Sequence, residues 1–374
     1  MGSEPDPVTG GRPRAVIVTA SVGAGHDGAA HELARRLERD GFGVEVHDYL
    51  EILPRRLGRI LRSTYTRQLH TVPWTWRWVL GALDLIPPLA WIVAAIAGLA
   101  GRRRLDEVLR NASPDVVVST YPLASHVLGE LRRRRQLAAP VVTFLTDLSV
   151  HRLWVCSGAD AHLALHPVAA IQARTHGART VVVTAPAVGR RFAALAAPDR
   201  AARRDALREA FGLPEDAPVA LVVAGSLGVG EVEEAVRDIL ATGRAVPIVV
   251  CGHNTALAAR LDRVDGVVAL GWVHDMAGLV HASDVVVQNA GGLSSLEAIS
   301  AGIPVLTYRS IPGHGEANAA ALEAAGLAPW IRSQRDLDAA LDAALRYRSP
   351  GLPDAPQPES VIAGFAAVAG GSRR

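Results

Sequence analysis

The same pattern opens both halves of the chain: a run of apolar, mostly β-branched residues, then a glycine-rich loop, then a helical pattern. In the first half, AVIVTA at 15–20 precedes SVGAGHDG, and in the second half, VALVVA at 219–224 precedes GSLGVG. Further strand-like runs follow in each half, separated by segments of helix length, which is typical of a parallel sheet covered on both faces. The sequence therefore predicts an α/β protein with two doubly wound, Rossmann-like domains facing a central cleft.

The length of the chain supports two domains rather than one. It has 374 residues, 49% of them hydrophobic, which exceeds what a single core usually organises. An X-Pro turn at 185–187 leaves the last strand-like run of the first half and marks the predicted join. The predicted organisation is a flexible lead-in at 1–14, an N-terminal domain at 15–187, a C-terminal domain at 188–348 and a C-terminal tail at 349–374.

Composition excludes several classes of protein. The net charge is only +2, from 39 basic and 37 acidic residues, so no global field is available to hold nucleic acid. Every basic residue is arginine, which excludes lysine catalysis. Cys156 and Cys251 lie far apart without metal-ligand spacing, so we expect neither a disulfide framework nor a structural zinc. The lead-in lacks the apolar core of a signal peptide, and a cytoplasmic protein is predicted.

The near-neutral total conceals one strongly basic segment, residues 55–104. It has nine arginines against one acid, which gives a net charge of +8. Its last three arginines are consecutive: Arg102, Arg103 and Arg104. Four of the seven tryptophans of the chain also lie in it: Trp74, Trp76, Trp78 and Trp91. Because tryptophan prefers the headgroup level and arginine is attracted to anionic lipid, the segment predicts peripheral attachment to an anionic surface at the inner face of the cell membrane.

An uncharged run of seventeen residues, LIPPLAWIVAAIAGLAG at 85–101, lies inside this segment. A membrane span takes about 20 apolar residues, and Pro87-Pro88 shortens any helix that the run could form. We interpret the run as an interfacial or shallowly inserted hairpin. A buried core helix with a basic exit and a true transmembrane span are the alternatives.

The glycine loop of the first half, Gly23-Ala-Gly25-His26, combines a flexible backbone with a titratable side chain. Its amides and the start of the next helix can approach an anion or a reacting hydroxyl, and histidine titrates near neutrality. His26 could instead only cap that helix. With Gly28 the loop also matches the dinucleotide pattern G-x-G-x-x-G, and Asp48 could hold a ribose, so a nicotinamide or flavin enzyme is an alternative.

Three loops of the second half have the composition of a nucleotide-sugar site. Gly225-Ser-Leu-Gly228 follows a strand and can hold a diphosphate with its amides. The stretch 289–298 has two glycines and two hydroxyls at another strand-to-helix turn, and the carboxylate of Glu297 one turn into the helix can accept two ribose hydroxyls. The polar, flexible loop 312–318 could face a sugar.

Taken in order, these motifs resemble GT-B glycosyltransferases of the monogalactosyldiacylglycerol synthase type, which are related to the peptidoglycan lipid-intermediate N-acetylglucosaminyltransferase. The second half has the GSLG loop, Cys251-Gly-His-Asn254, Gly271-Trp-Val-His-Asp-Met276, the glycine pair with Glu297, and a PG…N loop. The first half has SVGAGH and a TD…H..W…D stretch from Thr146 to Asp160.

The resemblance implies a GT-B fold with a donor site for a UDP-sugar in the second half. Gly228 would supply an amide to the diphosphate, Glu297 would hold the ribose, and backbone groups near Val273 would read the base. The remaining donor-side residues that it implies are His253, Asn254, Met276, Gly291, Gly292, Ser294, Glu316 and Asn318, of which the last two would face the sugar.

On the acceptor side, the resemblance implies that His26 lies near the acceptor, together with Gly23 and Gly25. Asp147 or His151, beside Trp154, would orient or deprotonate it. It also implies direct displacement with inversion at the anomeric carbon. Loop amides and helix dipoles can stabilise the departing nucleotide, so neither a metal nor a cofactor is expected, and the base is either His26 or Asp147.

One departure leaves the donor sugar open. The family has Pro-Gly-Gln-Glu where this chain has Pro-Gly-His314-Gly315, which displaces the acid to Glu316. Structural roles are alternatives for other residues too: Asp147 could cap a turn or hold Arg152, and His151 and Trp154 could serve packing alone.

The predicted function is a membrane-associated inverting glycosyltransferase that moves a sugar from a UDP-sugar to a diacylglycerol-like or polyprenyl-linked acceptor. A nucleotide-sugar 2-epimerase on the same fold and a non-catalytic peripheral lipid-binding protein are the alternatives. A metal at Asp336-Leu-Asp338 is disfavoured, because this DxD lies in a helical pattern.

Overall fold

The computed structural model describes residues 12–71, 74–213, 216–347 and 349–371. Most of the predicted lead-in at 1–14 therefore lies outside the described residues, and so do the side chains of Trp76 and Trp91.

The first half contains a parallel sheet of six strands in the order β2-β1-β3-β4-β5-β6. Its strands are β1 Arg14–Thr19, β2 Gly43–Asp48, β3 Val116–Ser119, β4 Val141–Phe144, β5 Ala161–Ala164 and β6 Val181–Val183. Strands β3, β4 and β5 are buried along their whole length, because helices cover both faces of the sheet. The helices are α1 Ala24–Arg39, α2 Tyr49–Ile52, α3 Arg55–Thr71, α4 Thr75–Leu85, α5 Pro87–Ala112, α6 Pro122–Arg133 and α7 Pro167–Thr175.

The second half repeats the arrangement, with strands in the order β12-β11-β10-β7-β8-β9. Its strands are β7 Val219–Val223, β8 Val246–Val250, β9 Val268–Leu270, β10 Val285–Gln288, β11 Val305–Tyr308 and β12 Trp330–Ile331. Its helices are α8 Ala197–Phe211, α9 Val232–Thr242, α10 Thr255–Leu261, α11 Met276–Ala282, α12 Leu293–Ser300, α13 His314–Ala324 and α14 Gln334–Arg346. Two doubly wound parallel sheets were predicted, and this fold class is confirmed.

The segment predicted as a C-terminal tail contains a helix that returns to the first half. This helix, α15 Pro358–Gly371, packs on α1 and β3 and buries Ile362 and Ala366 in the core. Just before it, Ala185 N donates to Pro356 O at 2.9 Å, so the chain crosses between the halves twice, side by side. Arg36 of α1 binds both crossings: it donates hydrogen bonds to Val188 O at 2.6 Å and to the Gln357 side chain at 3.0 Å.

The basic segment forms three helices, α3, α4 and the first part of α5. The run at 85–101 was interpreted as a hairpin, but it is mainly the beginning of one long helix. Its two prolines occupy the first turn of α5, where proline does not interrupt a helix. The second part of α5 belongs to the core, since Leu105 and Leu109 are buried. Within the part of the chain that the structure describes, no helix combines the length and apolar character that a membrane crossing requires.

This segment carries most of the large apolar side chains that the described residues expose. Eight of the twelve lie between residues 60 and 99: Ile60, Leu61, Trp74, Trp78, Leu85, Ile86, Ile92 and Leu99. A concentration of this kind marks an interaction surface.

Of the three consecutive arginines, only Arg103 is both exposed and without a partner among the described residues. Arg102 donates to the Gln136 side chain at 2.5 Å, and Arg104 donates to Leu53 O at 3.1 Å, just after the end of α2. Arg104 is exposed as well, but its guanidinium also satisfies a helix end within the protein. The membrane role of the three arginines stays a prediction.

Candidate active site

A cavity of about 1610 Å³ lies between the two sheets. Its walls are the loops that follow β1, β3 and β4 in the first half and β7 to β11 in the second, so it lies at the carboxyl ends of both sheets. Helices α3 and α4 close one side with Leu61, Thr64, Gln68, Trp78 and Ala82. Ligands of open parallel sheets bind at this end.

His26 lies in the first turn of α1 and lines the cavity. Its Nδ1 is 2.8 Å from Thr120 O and 3.2 Å from the Thr146 hydroxyl. Because a carbonyl oxygen can only accept, Nδ1 carries the proton of the neutral ring and Nε2 keeps its lone pair. Burial lowers the pKa of His26, although nearby Asp147 partly opposes this. The imidazole is therefore neutral at pH 7, with Nε2 available as a proton acceptor.

The other glycines of this loop separate into two groups. A Cβ at Gly23 or Gly25 would meet nothing within 4 Å, so the loop is open there. At Gly28, a Cβ would lie 2.5 Å from Leu293 Cδ2, because α1 packs against α12 of the other half. Asp48, the candidate ribose carboxylate of a dinucleotide site, accepts from Leu50 N and pairs with Arg62 at 2.9 Å. Gly28 and Asp48, on which the dinucleotide alternative depends, thus both have structural roles.

Asp147, the second candidate base, is 8% exposed and enclosed by groups from both halves. Its Oδ1 accepts from Asn318 Nδ2 at 3.3 Å, and its Oδ2 accepts from the Thr146 hydroxyl at 3.4 Å. His314 Nε2 lies 3.7 Å from the same Oδ2. Asp147 is therefore engaged at the contact between the halves, whereas His26 has a free nitrogen.

Asn318 was predicted to face the donor sugar, but its side chain is fully buried behind the cavity wall. Its Oδ1 accepts from Ser149 N at 3.1 Å, and its Nδ2 donates to Ala290 O at 3.3 Å as well as to Asp147. A buried amide must satisfy its polar atoms, and here it does so by joining the two halves.

Glu316 was also predicted to face the sugar, and its carboxylate instead forms an ion pair with Arg77 of α4. Its Oε2 accepts from Arg77 Nε at 2.9 Å and from Gly313 N at 3.0 Å. Burial alone would raise the pKa of Glu316, but the hydrogen bonds from Arg77 and Gly313 outweigh it and lower that pKa. Both oxygens are occupied, so the side chain points away from a sugar.

The glycine pair of the second half forms a turn that only glycine adopts easily. Gly291 and Gly292 have φ values of +74° and +78°. A Cβ at Gly292 would lie 2.8 Å from Asp147 Oδ1, and α12 begins immediately afterwards at Leu293. The free amides of that first turn, with Ser294 beside them, line the cavity and suit an anion.

Glu297 lies one turn into α12 and lines the cavity. Among residues 12–71, 74–213, 216–347 and 349–371, no group donates a hydrogen bond to its carboxylate. Burial raises the pKa of Glu297 to about 7, against the opposing effect of Arg191. An unsatisfied carboxylate in a cavity is suited to accept the hydroxyls of a ligand.

The residues predicted for the base and the diphosphate fall into two places. Val273 and Met276 line the cavity, beside Trp272, which stacks on His253 with ring centroids 4.3 Å apart. Gly228 and Asn254 do not line it: Asn254 Nδ2 donates to Gly228 O at 2.8 Å, and both line a smaller neighbouring pocket. They shape the loop rather than present polar groups to the cavity.

His151 and Trp154, which were predicted for the acceptor side, line the wall of the cavity that the first half forms. Trp154 is buried, and its ring packs 5.8 Å from that of His26 and 6.3 Å from that of His151. The pair thereby forms the wall behind the candidate base.

Sequence reasoning missed the residues that set the geometry of His26 and of the contact between the halves. Thr120 fixes the tautomer of His26 but has no motif of its own. His314 lines the cavity near Asp147, and the departure from the family pattern at this position was the available signal. Within the described residues, no group of three or more His, Cys, Asp or Glu side chains could hold a metal ion. Asp338 of the DxD pairs instead with Arg244.

Comparison with known proteins agrees with this geometry. Residues 26–185 match the family model of monogalactosyldiacylglycerol (MGDG) synthase. The chain is a glycosyltransferase with the GT-B fold, and its first half carries the domain that this family model describes. It is 25% identical to the processive diacylglycerol beta-glucosyltransferase of Bacillus licheniformis over 332 residues, which are 86% of this chain and 84% of the relative. The enzyme of the same name from Bacillus pumilus is 28% identical over 246 residues, which cover 63% and 62% of the two chains.

Solved structures of glycosyltransferases share the fold. MurG of Acinetobacter baumannii superposes with a TM-score of 0.58 at 16% identity, over 95% of this chain and 99% of that one. HepE of Anabaena, solved with UDP and glucose, superposes with a TM-score of 0.52 at 15% identity, over 96% and 94%. At this identity the likeness concerns the fold.

Proposed function

We propose that this glycosyltransferase moves a sugar from a UDP-sugar to a hydroxyl of a lipid acceptor, diacylglycerol-like or polyprenyl-linked, with inversion at the anomeric carbon. The observation that carries the proposal is one cavity that joins three features. A neutral histidine with a free Nε2 lies on one wall, and a glycine turn with an unsatisfied carboxylate lies on the other. Helices α3 and α4, which expose large apolar side chains, close the side between them. The names of the Bacillus relatives support a diacylglycerol acceptor.

The donor binds to the second half. Free amides at the start of α12, with Gly291 and Gly292, hold the diphosphate, and Glu297 accepts the hydroxyls of the ribose. Backbone groups near Val273 contact the base, with Met276 beside it. The structure of HepE with UDP and glucose gives a precedent for such a donor on this fold.

The acceptor hydroxyl enters from the side of α3 and α4. His26 Nε2 takes its proton as the oxygen attacks the anomeric carbon, and the bond from that carbon to the diphosphate breaks on the opposite face. The positive end of α12 offsets the charge that develops on the departing UDP, so the step needs no cofactor. Thr120 keeps the proton of neutral His26 on Nδ1, which makes His26 the base and leaves Asp147 to join the halves.

The basic segment 55–104 attaches the protein to the inner face of the cell membrane. Its exposed tryptophans suit the headgroup level, and exposed arginines on α3, such as Arg55, Arg56 and Arg59, suit anionic lipid. This attachment brings the entrance beside α4 to the surface where the acceptor lies.

The test is product formation with labelled donors. Purified protein is incubated with a panel of radiolabelled UDP-sugars and either dioleoylglycerol or a polyprenyl phosphate sugar in vesicles, and the label in the lipid extract is counted. We expect lipid-soluble label with at least one donor, with the anomeric configuration inverted by NMR, and a loss of about 100-fold or more in His26→Ala. Asp147→Asn, which keeps the size of the side chain, should lose less.

The outcome also separates the alternatives. A 2-epimerase would alter the sugar without a lipid acceptor, and a non-catalytic lipid-binding protein would leave every donor intact. Absence of lipid-soluble label with all donors and both acceptors would disprove the proposed transfer.

A further inference from the structure

An ion pair joins the basic segment to the donor side of the cavity, and the proposed reaction gives it no role. Arg77 of α4 donates from Nε to Glu316 Oε2 at 2.9 Å and from Nη2 to Oε1, a bidentate arrangement. The same carboxylate caps the start of α13 by accepting from Gly313 N at 3.0 Å. One carboxylate therefore connects α4 of the first half with the beginning of α13 in the second.

The beginning of α13 has little freedom to move without changing the cavity. A Cβ at Gly315 would lie 2.7 Å from Asn289 O, so this turn packs directly on the strand-to-helix turn that holds the glycine pair. His314 and Gly315 both line the cavity. A change in the position of Glu316 would thus also move the side of the cavity proposed to bind the donor, because the backbones of the two turns are in close contact.

Helix α4 has the opposite character, because it faces outwards. Trp74 and Trp78 are 56% and 72% exposed, and Trp78 also lines the cavity. Besides the ion pair of Arg77 with Glu316, Thr75 at the start of this helix accepts a hydrogen bond from Gln68 Nε2 of α3 at 2.6 Å. Insertion of its tryptophans into a membrane would fix its position.

We propose that Arg77 is a positioning residue that couples membrane attachment to donor binding through Glu316. A membrane that fixes α4 holds Arg77 where it reaches Glu316, and the ordered start of α13 then binds the donor more tightly. By linkage, the donor strengthens membrane attachment by the same factor. This inference rests on the proposed function, since it takes the donor to be a UDP-sugar and the basic segment to be the membrane contact.

The test is the dissociation constant of UDP-glucose, measured by calorimetry with and without vesicles of phosphatidylcholine and phosphatidylglycerol. In the unmodified protein we expect vesicles to tighten UDP-glucose binding about fivefold, the lower end of typical coupling between sites. In Arg77→Ala the vesicle effect should disappear. Arg244→Ala is the matched control, because it removes a bidentate ion pair of the same kind, with Asp338 of α14, away from the cavity and from the basic segment; it should keep the coupling.

A second variant separates the specific pair from general loss of charge. The exchange Arg77→Glu together with Glu316→Arg restores an ion pair of opposite direction and should recover part of the coupling, whereas Glu316→Gln alone should not. The coupling is disproved if vesicles leave UDP-glucose affinity unchanged in the unmodified protein, or change it equally in Arg77→Ala. If the protein binds neither UDP-glucose nor UDP, the proposed function and the coupling both fail. The titration without vesicles already reveals a failure of the proposed function, whereas a failure of the coupling alone appears only when vesicles are added.

Discussion

At the scale of single residues, the site depends on which polar atoms the fold leaves unsatisfied. Asp147, Asn318 and Glu316 are polar residues of the motifs found in the sequence, yet their oxygens and nitrogens are occupied by partners across the contact between the halves. His26 Nε2 and the Glu297 carboxylate have no such partners among the described residues. Because a ligand competes poorly with a hydrogen bond that is already formed in a buried place, these two residues are the ones that we assign to substrates.

The pKa of Glu297 makes donor binding depend on pH. Burial raises it to about 7, and only the ionised carboxylate can accept both ribose hydroxyls. Binding therefore favours loss of the proton, and affinity should fall as pH decreases through 7. We expect about tenfold weaker UDP-glucose binding at pH 6 than at pH 8, measured by calorimetry.

The control for this prediction is Glu297→Gln, which cannot titrate. It should bind UDP-glucose weakly and equally at both pH values, and the diphosphate diester of the ligand itself does not titrate in this range. A pH dependence of the same size in Glu297→Gln would assign the effect to another group, and Glu297 would lose the ribose role.

At the scale of elements, α4 differs from the amphipathic helices that cover a sheet. An ordinary surface helix buries its apolar side, as α14 does with Leu337 and Leu341. Helix α4 instead exposes Trp74 and Trp78 on the outside of the protein while it closes the cavity on the inside. This exposure is costly in water, and the membrane attachment that we propose accounts for it.

Replacing these two tryptophans should weaken membrane attachment without affecting the fold. Burial of each indole in the membrane should contribute about 1.5 kcal/mol or more to attachment. The double variant Trp74→Ala with Trp78→Ala should therefore reduce vesicle binding at least about tenfold in a sedimentation assay. Tyr347→Ala removes an equally exposed aromatic side chain from the second half and should leave sedimentation unchanged. Equal sedimentation of the double variant and the unmodified protein would show that α4 is not the membrane contact.

At the scale of the whole molecule, the two crossings of the chain control how the halves are held. Both the linker near residue 188 and the segment before α15 are bonded to Arg36, whose side chain is 11% exposed and pairs with buried Glu32 at 2.7 Å. Helix α1 thus carries both features: His26 lies in its first turn, and Arg36, which anchors both crossings, lies in its last turn.

Removing this anchor should destabilise the protein. In Arg36→Ala, Glu32 loses a buried partner and two carbonyls lose a donor, so we expect a loss of about 3 kcal/mol in the free energy of unfolding, measured with urea. Arg39→Ala is the matched control: it lies one turn further on, 3.9 Å from Glu32 and 41% exposed, and should cost about 0.5 kcal/mol. Similar midpoints for the two variants would contradict the anchoring role of Arg36.

Periodicity and glycine loops were sufficient to predict the doubly wound sheets, because strand spacing and the turns after β1, β7 and β10 are local properties of the chain. The candidate base and ribose carboxylate could likewise be predicted, since His26 and Glu297 each follow directly from a loop at a strand end. The sequence alone does not indicate that Asp147 contacts Asn318 and His314, because both lie about 170 residues away along the chain and meet it only when the halves pack.

The amino-acid sequence by itself determined the fold class, the basic tryptophan-rich segment and the positions of the polar loops, since all three depend on residues close together in the chain. The tertiary structure decided which polar residues remain available, for example that Asn318 and Glu316 join elements while His26 keeps a free nitrogen. The physical reason is that a polar atom acts on a ligand only where no other buried group satisfies it, and such partners come from parts of the sequence that the fold alone brings together.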